Sequence, residues 1–222
     1  MAKAGLARSG LARAGLAGTS PRTFHPGRVV SKLGLCTMYV LFAYAHLGAL
    51  NDGGFRLSLV LLVCFETIMV GLVFVRRDSI EVDLSAMAIS AGLVGSFAAL
   101  GFRPATDGQE MLAGQIIQIF GVLLQLGSSF SLGRSFGMVP ANRGIKTAGL
   151  YRLVRHPLYF SYLITEAGYL LSNPSARNMA VLVAGTGFQV LRIRYEERLL
   201  SRDIEYQRYA LSVRWHMVPG FW

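Results

Sequence analysis

Two short stretches of this chain concentrate the side chains that could do chemistry. In GLYRLVRHPLYFSYL, residues 149–163, Tyr151, Arg152, Arg155, His156 and Tyr159 crowd around Pro157. Proline there suits the first turn of a helix, where its missing N–H is not needed. The free N–H groups of such a turn, with the helix dipole behind them, attract an anion, and Arg152 and Arg155 add full charge beside it. The tyrosine rings, flat with a polar tip, suit an interface or a stacked base. These residues fit a ligand that carries a carboxylate or phosphate and a ring. They fit an ordinary basic, aromatic anchor at a membrane surface equally well.

The second stretch, LRIRYEERLL at 191–200, sets Glu196 and Glu197 side by side among Arg192, Arg194 and Arg198. Acids at a membrane border are costly unless they are paired or functional. Neighbours on a helix point about 100° apart, so one glutamate can face inward while the other meets Arg192 or a loop. An inward glutamate accepts hydrogen bonds from an amine or from ribose hydroxyls. The plainer alternative is pairing along a solvated helix end, Arg192 with Glu196 and Arg194 with Glu197.

The elements that must position these groups are set by hydropathy. Of 222 residues, 53% are hydrophobic and 15% charged, and the mean hydropathy is +0.45. Soluble domains carry about 25% charged residues. The apolar residues come in long runs, and a helix needs about 20 of them to cross a bilayer. Candidate spans are about 33–50, 57–75, 84–102, 111–130, 157–172 and 178–195. A barrel strand would alternate in and out of lipid, and these runs do not. The expected fold is therefore all-α, a polytopic transmembrane helix bundle of about six spans. Its expected parts are a basic, disordered tail over 1–30, a four-span region over 31–130, and a C-terminal region over 131–222 made of a helix hairpin and a cytosolic tail.

Basic residues orient such a bundle. With six spans and both termini in the cytosol, only Arg56, Arg103 and Arg177 of the 22 lysines and arginines fall outside. The net charge of +10 is then explained by apposition to anionic headgroups, and no nucleic-acid partner is needed. A multi-pass protein follows, with a bacterial inner membrane as the expected location. Cys36 and Cys64 have no metal spacing and read as small residues of apolar spans. The repeat AGLARSGLARAGLAG at 4–18 reads as a tail brushing headgroups, with an organelle transit peptide as the alternative. Glu66 and Glu166 lie mid-span, each either paired or on a substrate path; for Glu66 the expected partner is His46 or one of Gln115, Gln118 and Gln125.

Four segments occur in a telling order: SLGRSFG (131–137), GLYRLVRHPLYFSYL (149–163), EERLL (196–200) and YQRYALSVRWHMVP (206–219). Together they resemble the isoprenylcysteine carboxyl methyltransferase family and the related phospholipid N-methyltransferases. The resemblance implies an S-adenosylmethionine (SAM) pocket at the cytosolic ends of the C-terminal helices, and a lipophilic or lipid-modified acceptor arriving from the bilayer. Arg155, His156 and Tyr159 match the arginine-histidine-proline-x-tyrosine motif that lines the cofactor pocket. Glu196 and Glu197 match the paired acids, and Tyr151 with the backbone around Gly149 and Leu150 matches the loop that closes over the pocket. Gly133 and Gly137 match small residues that let this loop come close. Methyl transfer rests on positioning and exclusion of water. A carboxylate acceptor needs an orienting cation, for which Arg194 or Arg192 is the candidate; an amine acceptor needs a base, for which Glu197 is. The rival readings are an NADPH-dependent membrane sterol or enone reductase, which shares a similar motif, and a non-catalytic membrane scaffold.

Overall fold

The computed structural model describes residues 74–103 and 111–222 continuously, and scattered positions from 32 to 72. The tail over 1–30, Glu66, His46 and parts of the first two expected spans lie outside the described residues. Within them the chain is mostly helical. Strand β1 (Glu81–Val82) precedes α1 (Ala86–Phe97), which ends in a 3-10 turn at Ala98–Gly101. Helix α2 follows (Leu112–Leu132), then β2 (Ala141–Asn142), α3 (Pro157–Ser172), α4 (Ala176–Leu200) and α5 (Ile204–Ser212). The last four expected spans thus correspond to α1 to α4. Leu112–Ser135 is long and apolar enough to cross a membrane.

Local chemistry sets the boundaries. Ser85 caps α1 by accepting from the Ala88 N–H, and Ser175 caps α4 by accepting from the Asn178 N–H at 3.0 Å. Pro157 opens α3, as the sequence implies. Asp203 caps α5. Gly133, at φ 53°, closes α2 in the left-handed region, and nothing lies within 4 Å of where a Cβ would stand. It ends a helix; it is not a point of close loop approach.

The helices pack in two pairs, α2 on α3 and α1 on α4. The first pair is very close. A Cβ on Gly121 would fall 2.5 Å from the Thr165 nitrogen, and one on Gly168 would fall 2.5 Å from the Gln118 nitrogen. Small residues at such a seam let backbones approach and make dispersion the adhesive. The polarity of the bundle is inverted relative to a soluble protein. Helix α2 exposes Leu112, Ile116, Phe120, Leu123 and Phe130 and buries Gln118, Gln125, Ser128 and Ser129. Helix α4 exposes Met179 and Val183 and buries Asn178, Gln189 and Arg192. A water-facing protein hides such apolar side chains; a lipid-facing one shows them.

One element falls outside an all-helical expectation. Strands β1 and β2 pair antiparallel, Glu81 opposite Asn142 and Val82 opposite Ala141. Arg202 pairs with Glu81, and the Asn142 amide donates to Asp203 at 3.3 Å. This ties the loop between α2 and α3 down beside the end of α4, over the site.

Candidate functional site

The two chemistry-bearing stretches meet. Pro157 starts α3 at the level where α4 leaves the apolar body, so residues 155–159 face residues 192–197. Glu197 holds three partners: Arg155 Nη1 on Oε2 at 2.7 Å, His156 Nε2 on Oε1 at 2.7 Å, and the Tyr206 hydroxyl on Oε1. Glu196 accepts from the Tyr159 hydroxyl at 2.8 Å and from Arg192 Nε at 3.3 Å, and His156 Nδ1 stands 3.7 Å from its Oε2. Arg192 also donates to the Ser96 hydroxyl at 2.9 Å and to the Gly137 carbonyl at 2.6 Å, and its guanidinium lies 4.9 Å from the Tyr159 ring centre. Both glutamates therefore face inward, where the sequence argued for one. The Arg192–Glu196 pair forms as its spacing implies, while Glu197 turns to Arg155.

The C-terminal segment completes the site. The Arg155 N–H donates to the Trp215 carbonyl at 2.9 Å and the His156 N–H to the His216 carbonyl at 2.7 Å. Arg155 Nη2 reaches His216 Nε2 at 2.8 Å, and the His216 ring stacks on Trp222. Tyr209 donates to the Tyr151 carbonyl at 2.6 Å, fixing the turn that carries Tyr151.

A cleft of about 90 Å³ opens between these elements, lined by Gly137, Arg143, Tyr151, His156, Tyr159 and Glu196 among others. Gly149 and Leu150 do not line it. Gly149, at φ 62°, begins the 3-10 turn Gly149–Arg152, and a Cβ there would fall 2.3 Å from the Ser131 hydroxyl. Leu150 packs near Gly127 on α2. These two residues seat Tyr151 from behind. Arg152 is exposed on an outer groove with Arg208 and Glu205, away from the cleft. Arg194 is also exposed and contributes no contact to the network among the described residues. Since residues two apart on a helix point about 200° apart, the inward place taken by Arg192 leaves Arg194 outside.

Arg143 is the participant that sequence reasoning passed over. Its guanidinium packs over Gly137, within 2.4–2.9 Å of where a Cβ on that residue would be. Its Nε is buried with no hydrogen-bond partner. Burial, with the Arg76 charge close by, pulls this guanidinium down to about 10, and it remains charged at neutral pH. The Glu196 charge reaches this guanidinium, but no carboxylate bonds its buried Nε, which leaves a donor for an anion. Burial works to raise the Glu197 carboxyl, but the His156 hydrogen bond and charge, the Tyr206 hydroxyl and the Arg155 charge outweigh it and hold it below its usual value. Burial and the Arg155 charge lower His216. Tyr206 and His216 were also missed, because each is distant in sequence and ordinary in type; the only signal was their place in the terminal YQRYALSVRWHMVP segment.

The exposed apolar faces and the long apolar helix fit a helical membrane protein, and a cleft of arginines, tyrosines and an acid lies at one end of its helices. Residues 109–202 match the model of the isoprenylcysteine carboxyl methyltransferase (ICMT) family. The chain is 38% identical over 110 residues to protein-S-isoprenylcysteine O-methyltransferase A of Arabidopsis thaliana, covering 45% of this chain and 55% of that relative. It thus spans about half the length of the relative it matches. No solved structure matches it.

Proposed function

We propose that this protein is a SAM-dependent integral membrane methyltransferase that esterifies the carboxylate of a lipophilic acceptor at the cytosolic face of a six-span bundle. The convergence of Arg155, His156 and Tyr159 with Glu196 and Glu197 around one cleft, inside the segment that matches the ICMT family, carries this reading. The relative's name points to prenylcysteine as the acceptor.

The residues present fit the cofactor. Tyr151, His156, Tyr159 and Glu196 line the cleft and offer ring faces and acceptors for an adenosine and an amine. Glu197 does not line it but fixes Arg155, His156 and Tyr206. Arg143, whose Nε has no hydrogen-bond partner, suits a carboxylate. The space is narrow. Ligand pockets run to roughly 300–1,000 Å³, so binding requires the long side chains of Arg143 and Lys146, which line the cleft, to swing aside. When bound, the cofactor supplies an activated methyl group for in-line displacement, with no proton to move if the acceptor is a carboxylate. The chain's part is to align the reactants and exclude water, effects worth up to about 7–11 kcal/mol in well-oriented systems. Oxygen is favoured over nitrogen as the acceptor atom for a specific reason. An amine must lose a proton, and Glu197, already holding three donors and depressed in basicity, is a poor base. Arg192, bound to Ser96, Gly137 and Glu196, is a positioning residue, and Arg194 is exposed, so neither arginine is placed to orient the acceptor.

The test is incubation of membranes holding the protein with methyl-labelled SAM, followed by separation of lipid, protein and small-molecule fractions. Base-labile label in a lipophilic fraction is expected. Base-stable label would move the reading to N-methylation, and no label in any fraction would contradict it.

A further inference from the structure

Arg152 and Arg208 are cations that the cleft does not use. They line a second, outer groove of about 460 Å³ from two different elements, the turn Gly149–Arg152 and helix α5. Both side chains are exposed. Glu205 shares the groove, yet neither arginine makes an ion pair or a hydrogen bond among the described residues. The Ser212 hydroxyl, also in the groove, is committed to the Tyr209 carbonyl at 2.8 Å. Two free guanidiniums against one acid leave the groove open to an anion.

Its walls are fixed. Tyr209 ties α5 to the turn through the Tyr151 carbonyl, and Tyr206 ties α5 to Glu197. Just beyond α5, the Trp215 and His216 carbonyls accept from the Arg155 and His156 N–H groups, immediately before α3 begins. The groove therefore stands at the level where α3, read as a span, meets the headgroup layer.

Helix α5 is also two-sided. Tyr206 and Tyr209 are buried, whereas Ile204, Arg208 and Leu211 share the opposite face at helical spacing. Ile204 is 62% and Leu211 87% exposed, and Leu153, next to Arg152, is 63% exposed. An arginine among aliphatic side chains at a membrane surface keeps its charge with the headgroups while its neighbours enter the acyl boundary. A small soluble anion has no use for those side chains. A membrane lipid supplies both the phosphate and the apolar layer.

We propose that this groove binds the phosphodiester headgroup of an anionic phospholipid, with Arg152 and Arg208 as its cations. The site stands apart from the cleft and does not depend on the reaction proposed there.

Native mass spectrometry of the purified full chain in detergent tests it, with dioleoyl phosphatidylglycerol or dioleoyl phosphatidylcholine titrated in. Wild type is expected to bind its first phosphatidylglycerol about fivefold more tightly than phosphatidylcholine, the worth of one net basic charge at a membrane surface. Arg152→Gln combined with Arg208→Gln should bring the two affinities to within about twofold of each other, with the melting temperature unchanged. Arg194→Gln combined with Arg198→Gln removes the same charge from exposed positions on α4 and should keep the wild-type preference. Equal affinities in wild type, or a preference that survives loss of Arg152 and Arg208, overturns the site. An equal fall in the α4 pair overturns it too, by making the preference a property of the whole basic face. Excess inorganic phosphate should leave the lipid bound; displacement by it would make this a site for a free anion and contradict the proposal. Displacement by a soluble hexaglutamate peptide would give the groove to an acidic segment of a partner protein, again against the lipid.

Discussion

At its N-terminal end α4 is held by Asn178. Its amide donates to the Arg103 carbonyl at 2.9 Å and the Asn173 carbonyl at 2.7 Å, and its oxygen accepts from the Arg103 N–H at 3.1 Å. At its C-terminal end the same helix is held by Glu196 and Glu197, whose partners are side chains from the turn before α3, from α3, α5 and α4 itself. The first arrangement is neutral, grips only backbone, and stands 1% exposed. The second is charged, draws together segments distant in sequence, and borders a cleft containing a guanidinium with a free nitrogen. A buried neutral amide that grips backbone is what fastening needs. Concentrated charge beside open space is costly for fastening alone and marks a place built for a ligand.

This contrast can be broken at either end. Glu197→Ala should have the largest effect, at least about a hundredfold loss of SAM affinity, because it strips Arg155 and His156 of the carboxylate they share and hydrogen bonds to charged groups are worth about 1.5–3 kcal/mol each. Calorimetry of the purified variant reads it. The same network gives a pH signature. Because the Glu197 carboxyl is depressed in the folded protein, its contribution is full at neutral pH and is lost as pH falls through the ordinary carboxylate value of 4.5 and below. Thermal unfolding of wild type should therefore weaken in that window, and Glu197→Gln should flatten the dependence.

Next in size, Arg143→Ala should weaken SAM binding by about tenfold or more, the worth of one charge-assisted contact, while leaving the melting temperature nearly unchanged, since the buried Arg143 Nε makes no hydrogen bond to the protein. Asn178→Ala should do the reverse. It should cost about 2 kcal/mol of stability through two orphaned carbonyls and change SAM affinity by less than about twofold. Smallest of all, Arg194→Ala should alter turnover by less than about twofold, in keeping with an exposed side chain.

The two stretches that meet at the cleft were legible because each packs its chemistry into a few consecutive residues, where helix geometry alone says what can face what. The positions of helices α1 to α4 were legible for a similar reason: long hydrophobic runs carry their own evidence, and one of them, Leu112–Ser135, is long and apolar enough to cross a membrane. What was not legible depends on tertiary contact. Arg143 sits in a short, glycine-bearing loop with no periodicity, and its importance comes from β2 pinning that loop to β1, a pairing two residues long and below any pattern. Arg194 stood out by its spacing to Glu197, but which of two arginines faces inward depends on the rotation of α4, and packing against Ser96 and Gly137 chose Arg192. That Glu166 Oε2 is buried without a hydrogen-bond partner could not be read either, since it depends on glycine rather than a polar residue standing opposite on α4.

The most direct measurement is isothermal titration of the purified protein with SAM, S-adenosylhomocysteine and NADPH. The account predicts saturable binding of the first two, lost in both Glu197→Ala and His156→Ala, and none of the third. Binding of NADPH with none of either adenosyl ligand, or adenosyl binding that both variants leave at wild-type strength, would contradict it.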